Sequence, residues 1–355
     1  MFRPPRCPYH HCARHRDPGD GFFVRKGFYR PKCRAHPVPR FRCRTCGRGF
    51  SRQTFRADYR DHRPDRNGPL FLSLATGLGL RQTARNIGLT RRCTELKARK
   101  VARHLRRLNV NLRGPLTEPA ELVFDELETY EGRRNTRPVS LAVLIERRTR
   151  FLIWCESAPI RPSGRMSPAR KRAIAADEAR FGRRKDLSRR AVERTLQRGA
   201  ELVEGWPRVE LRTDEKSTYP AIARRVFGKR LIHSRTNSKL LRDTWNPLFP
   251  INHTDAMARD HLGRLRRESW LVSKKRRYLD LAMQMWMAYR NYVRRRFNRD
   301  DASPAQMLGF VSRRMRPTEL LSWRQDWGGR SIHPLARRCT SVARKMSQDA
   351  ARRAA

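Results

Sequence analysis

Acidic residues are scarce in this chain. Only 33 Asp and Glu stand against 82 Lys and Arg among 355 residues, leaving a formal net charge of +49 at pH 7. Also lacking is any run of about 18 uncharged apolar residues, which excludes a membrane-spanning helix. The opening residues, Met1-Phe2-Arg3-Pro4-Pro5-Arg6, have none of the apolar stretch of a secretory signal. Cysteines number eight, too few and too clustered for a disulfide scaffold, and a reducing, intracellular compartment is expected. Aromatics are sparse at 8%, yet apolar residues at 38% suffice for a core. That balance excludes a wholly disordered basic tail.

What is abundant is positive charge along the whole length. A compact monomer with that surplus repels itself, and a polyanion balances it most simply. Neutralising a phosphate backbone with counterion release is the obvious outlet. An anionic membrane fits less well, because the basic residues do not gather on one amphipathic helix. A nucleic acid is therefore the expected partner, and a helix-turn-helix would make it double-stranded DNA.

Composition divides the chain into residues 1–65, 66–115, 118–300 and a basic C-terminal region, 301–355. The first part holds five cysteines. Cys7 and Cys12 form a C-x4-C pair, and Cys43 and Cys46 a C-x2-C pair followed by Gly47. Short-spaced pairs put two thiolates on one tight turn, and two such turns complete a tetrahedral zinc site. The apolar runs between them, Phe22-Phe23-Val24 and Phe28-Tyr29, suit the short strands of a zinc ribbon. Cys33, His10, His11, His15 and His36 are alternative ligands. Cys93, Cys155 and Cys339 read as lone thiols.

In 66–115, Leu70–Leu74 opens a helix and Leu80–Ile87 makes a second. Gly88-Leu89-Thr90 is a turn, with Thr90 as N-cap of a basic third helix. That order predicts a helix-turn-helix, with Arg91, Arg92, Thr94 and Lys97 at the start of the helix that enters a major groove. A helical hairpin packed on the next domain is the alternative.

Scarce acids make each one informative. Glu121–Glu126 is a strand carrying Asp125; Pro138–Glu146 and Phe151–Cys155 are two more strands, separated by a hairpin turn. A helix over 187–204 precedes Val209–Asp214, again a strand ending in Asp. Residues at about 160–187 read as a charged insertion or exposed loop. Strand, strand, strand, helix, strand is the order of a ribonuclease H-like fold, in which the first and fourth strands are neighbours. Asp125 and Asp214 would then face each other and hold Mg²⁺ or Mn²⁺, hard cations that prefer oxygen ligands. Glu126, Glu128 and Glu215 are expected as supporting or surface partners. Trp270 to Phe297, with Leu279, Met283, Met285 and Trp286, reads as core flanked by basic clusters that contact DNA backbone.

The runs Arg40–Ser51, Phe124-Asp125-Glu126, Thr213-Asp214 and Arg259–Ser269 together resemble an insertion-sequence DDE transposase, nearest the insertion-sequence-one group. The resemblance implies an α+β multidomain chain: N-terminal zinc ribbon, helix-turn-helix, then a ribonuclease H-like α/β catalytic domain. It implies binding of terminal inverted repeats, metal-dependent strand cleavage and transfer, and target DNA as second partner. A homodimer or higher assembly on DNA is implied too, in a cytoplasmic, nucleoid-associated protein of a bacterium. The same likeness calls for a third acid just before the R-x-H-x-x-R-L stretch. Asn252 occupies the matching place, Asp255 lies three residues on, and Asp260 is a further candidate. Arg259, Arg264 and Lys274 are expected to touch DNA. The alternative is a DNA-binding regulator that has lost catalysis.

Overall fold

A computed structural model describes residues 2–33, 35–116, 120–237, 239–241, 243–266 and 270–323. The end of the basic motif, Arg267-Glu268-Ser269, and the C-terminal region from residue 324, with Cys339, lie outside the described residues. Described residues form an α+β protein with two sheets and two hydrophobic clusters.

A single helical turn, α1 (Ala13–Arg16), follows Cys12. The first sheet is antiparallel, with β1 (Phe23–Tyr29), β2 (Val38–Cys43) and β3 (Gly49–Ser51) in sequential order. Register sets Phe41 opposite Phe50, and their rings stack at 5.7 Å. Phe22, Phe41, Phe50 and Phe55 pack on Cys7, Cys12 and Cys43 to make a small separate core. So small a cluster buries little apolar surface, which leaves its stability dependent on what the cysteines bind.

Three helices follow: α2 (Asn67–Ala75), α3 (Leu80–Asn86) and the 21-residue α4 (Arg91–Asn111). Gly88 has φ +64°, which ends α3 without a steric clash. The Thr90 hydroxyl accepts from the Cys93 N–H at 3.2 Å to start α4.

The second sheet is mixed. Its strands are β4 (Glu121–Tyr130), β5 (Pro138–Glu146), β6 (Leu152–Pro159), β7 (Val209–Asp214) and β8 (Leu231–Thr236), in the order β6-β5-β4-β7-β8. β4, β5 and β6 are antiparallel neighbours; β7 lies parallel to β4, and β8 parallel to β7. β5 is buried at almost every position because both faces are covered. On one face sits α6 (Ser188–Ala200), where a Cβ on Gly199 would meet Leu144 Cδ2 at 2.6 Å, so the missing side chain lets helix and sheet approach. On the other lie α8 (Phe249–His261) and α9 (Arg276–Ala288), with Gln284 of α9 beside Cys155. Between β6 and α6, α5 (Pro168–Phe181) occupies the segment expected as a charged insertion or loop. The Ser167 hydroxyl caps it and Gly182, at φ +81°, ends it; Asp177 ties it to Arg137 at 2.9 Å. α7 (Tyr219–Phe227) follows β7.

One continuous apolar core runs from Leu70 to Trp323 and includes α4, which packs along α9. Asn109 of α4 donates to the Gln284 carbonyl at 2.9 Å, and buried His104 bonds the Leu320 carbonyl at 2.9 Å.

Candidate functional site

Three groups of residues carry chemistry, beginning with the cysteines. Cys7 and Cys46 place their sulfurs 3.7 Å apart, Cys12 and Cys43 3.8 Å apart, and all four ligand atoms lie within 4.8 Å of one another. Disulfide sulfurs would stand at about 2.05 Å. A tetrahedral zinc with bonds of about 2.3 Å spaces its sulfurs by about 3.8 Å, so the donor set and its geometry fit that ion. Burial pushes the Cys7 and Cys12 thiols up. Burial acts the same way on Cys43, but the backbone N–H groups of Cys46 and Thr45 outweigh it and bring that thiol down to about 7. Gly47, at φ +68°, allows the tight turn in which its N–H reaches the Cys43 carbonyl at 3.0 Å. Three of the alternative ligands are engaged elsewhere. His10 and His15 bond each other at 3.0 Å, His15 also meets the Cys7 carbonyl, and Cys33 faces the Asp61 carbonyl at 3.5 Å.

The second group is acidic. Paired register between β4 and β7 ends at Val123 beside Arg212; Asp125 and Asp214 each stand two residues further on, on the same side of the sheet as those two. Asp125 pairs across β5 with Val143, whose face is the one covered by α8 and α9. From α8, Asp255 enters the field of Asp125. Burial first, and then the Asp125 charge, hold the Asp255 carboxyl well above the usual carboxylate range, with Arg259 opposing. Asp255 as a whole residue is half-buried, but its Oδ1 is shut off from solvent and has no hydrogen-bond partner. Both charges of the pair Asp125 and Asp214 also act on the Tyr219 hydroxyl. Asn252, one turn earlier on α8 and half-buried, is bonded through its N–H to the Leu248 carbonyl at 3.0 Å. Asp260 points outward, 74% exposed, toward His261. Asp125 and Asp214 thus end up on neighbouring parallel strands, Asp255 lies in the field of Asp125, and Asp260 stands apart. Among the described residues, only the four cysteines form a group of three or more ligand atoms as close as 4.8 Å, so the aspartates are more widely spaced than that.

Glu126 lies on the opposite sheet face. It accepts from the Tyr219 hydroxyl at 2.8 Å and also bonds Ser140 and Lys216. Sequence reasoning missed Lys216 and Tyr219. They follow Asp214 closely in the chain, but only the β4–β7 adjacency gives them a partner.

The third group is basic. Arg91 and Arg92 are exposed in the first turn of α4. Thr94 and Lys97, expected at the same DNA-facing surface, are not there. Thr94 is fully buried and bonds the Thr90 carbonyl at 2.9 Å. Lys97 is buried, pairing with Asp61 at 3.2 Å and donating to Asn67 at 3.1 Å. Positions three apart share a helix face, and the face carrying these two is the one α4 turns inward. Arg91, Arg264 and Lys274 meet around one cleft of about 920 Å³ between α3, α4 and the segment after α8. Arg264 donates to Ser273 at 2.9 Å, and burial lowers its pKa. Arg259 is committed to the Leu265 and Glu128 carbonyls, where it ties α8 to β4.

Among the described residues no helix is long and apolar enough to cross a membrane. No protein-family model matches this chain, and no curated protein matches it.

Proposed function

We propose that this protein is a metal-dependent DNA strand-transferase, an insertion-sequence transposase with a zinc ribbon, a helix-turn-helix and a ribonuclease H-like catalytic domain. The observation that supports it most is the placement of Asp125 and Asp214 on neighbouring parallel strands, with Asp255 of α8 in the field of Asp125. In a chain with so few acids, three facing one region is an arrangement whose mutual repulsion a cation relieves. The strand order, with antiparallel β6-β5-β4 continued by parallel β7 and β8, supports the ribonuclease H-like reading.

Divalent cations, when bound, would supply charge stabilisation at the scissile phosphodiester and a stronger water nucleophile. Asp125 and Asp214 are the resident carboxylates. Asp255, whose neutral form burial and then the Asp125 charge favour, would join them in holding the cations. It takes the role the resemblance assigns to Asn252, which can offer an oxygen but no charge. Arg259 fixes α8 against β4 and so sets the approach of Asp255 to Asp125. Cys7, Cys12, Cys43 and Cys46 would hold a structural zinc in the ribbon. Arg91 and Arg92 would meet the DNA ends, and Lys274 with Arg264 would meet the backbone.

The test is cleavage of DNA carrying the element's ends by purified protein with Mn²⁺, beside Asp125→Ala and Asp255→Asn. The expected result is strand cleavage by wild type, lost by at least about 10³-fold in both variants. Absence of cleavage in wild type, with end binding intact, would replace the enzyme with a DNA-binding regulator.

A further inference from the structure

On the side of α8 away from Asp255, donors outnumber acceptors. Arg290 is 1% exposed, and its Nε and Nη1 have no hydrogen-bond partner. The His253 Nδ1 and Arg150 Nε atoms are likewise buried and unpartnered. Beside them His261 receives two donors, Trp286 Nε1 at 3.0 Å and Arg294 Nη1 at 2.7 Å. A neutral imidazole accepts at only one nitrogen, so one of those donors lacks an acceptor as well.

Nor is the charge balanced. Among the described residues no carboxylate comes within 4.0 Å of Arg150, Arg290 or Arg294. Asp260 reaches only the edge of His261, at 3.9 Å, and is mostly exposed. Glu146, the acid nearest Arg150 in sequence, is bonded to the N–H groups of Arg148 and Thr149. Burying an unpaired guanidinium costs several kcal/mol unless an opposite charge accompanies it. Burial and neighbouring arginines lower the pKa values of Arg150 and Arg290 to about 10 and that of His261 to about 4, outweighing the opposing charges of Glu146 on Arg150 and Asp260 on His261. Arg150 itself lines a cavity of about 730 Å³ at the start of α8, whose wall also carries Glu121, Glu146 and Glu210.

We propose that Arg150, His253, Arg290 and Arg294 form a binding site for a phosphoryl group, whose oxygens accept and carry the missing negative charge. Carboxylates facing one side of α8 and phosphoryl-binding cations facing the other would make this helix a divider between the metal region and an anion. The inference stands whether or not the protein cleaves DNA.

Isothermal titration of the full chain with inorganic phosphate, at constant ionic strength set by chloride, tests it. Saturable binding at one site is expected. Arg290→Met and Arg150→Gln should each weaken it about tenfold or more, equivalent to about 1.4 kcal/mol. Arg190→Gln, at an exposed position on α6, and Asp125→Ala should leave it unchanged. Should Arg290→Met fail to fold, Arg150→Gln alone decides. Displacement of bound phosphate by a short DNA duplex would make the ligand a backbone phosphate, and saturable binding that DNA does not displace would make it a free one. Phosphate affinity equal in wild type, Arg290→Met and Arg150→Gln, or lost equally in Arg190→Gln, would overturn the site. Loss in Asp125→Ala would relocate the anion to the carboxylate face and overturn it equally. Cleavage assays do not enter these outcomes, so failure of the nuclease reading and failure of this one are separable.

Discussion

Asp255 on α8 lies where burial, with its Oδ1 closed off from water, and then the charge of Asp125 on β4 push its carboxyl well above the usual carboxylate range. The native state therefore binds this proton more firmly than the unfolded chain, where an aspartate titrates at about pH 3.9. Stability from this group is fully present below that pH and is lost as pH rises through the higher native value. Asp255→Asn removes the titration. Denaturant unfolding from about pH 4 to about pH 8 should show the variant gaining on wild type as pH increases. A difference that stays flat across the range would contradict the pairing. Adding Mg²⁺ should shrink the variant's advantage, because the cation favours the ionised carboxylate.

Lys97 and Arg92 stand less than two turns apart on α4, yet they should behave oppositely when replaced. Lys97→Ala strips a buried partner from Asp61. Asp61 keeps Lys100 at 3.1 Å and the Asn67 amide at 2.8 Å, so in urea denaturation that loss should amount to about 1–3 kcal/mol. Arg92 is exposed. Its replacement by alanine should change stability by under about 0.5 kcal/mol. In DNA binding, Arg92→Ala should reduce the slope of log affinity against log salt by about 1, the loss of one phosphate contact. A folded Lys97→Met protein should keep the wild-type slope. Equal slopes for wild type and Arg92→Ala would remove α4 from the DNA surface.

Cys43→Ser replaces one of four sulfurs and should reduce bound zinc from one equivalent to well under half, measured by metal analysis after desalting. Loss of order should be confined to the small cluster around Phe41 and Phe50, because the core from Leu70 to Trp323 is separate from it. Near-ultraviolet signals and protease cleavage before residue 65 report this. Unchanged zinc content would refute the cysteine centre.

Tyr219→Phe tests the support beneath the acidic face. The hydroxyl donates to Glu126, which keeps Ser140 and Lys216 as partners after the change. The expected loss of stability is therefore about 1–2 kcal/mol, the size of one hydrogen bond to a charged group. Cleavage should fall far less than in Asp125→Ala. An equal fall would make Tyr219 part of the chemistry.

Local patterns in the chain were enough to place many of the regular elements, though not α5, which falls in the segment expected as an insertion or loop, nor α7 and β8. Alternating apolar runs from Glu121 and from Val209, the Thr90 cap and the paired cysteines are short-range signals, because strand pleat, helix capping and metal knuckles depend on residues a few positions apart. The same reasoning put Asp125 and Asp214 on strands expected to be neighbours, and the β4–β7 register agrees with that placement. Three matters lay beyond it. Whether α8 turns Asn252 or Asp255 toward Asp125 depends on its rotation against the sheet, which only packing sets. Thr94 and Lys97 look like surface residues in a basic helix until α4 is docked and one face becomes interior. The unpartnered cations around His253 are ordinary arginines in a basic sequence; only the fold, by removing water from them without bringing up an acid, makes them exceptional.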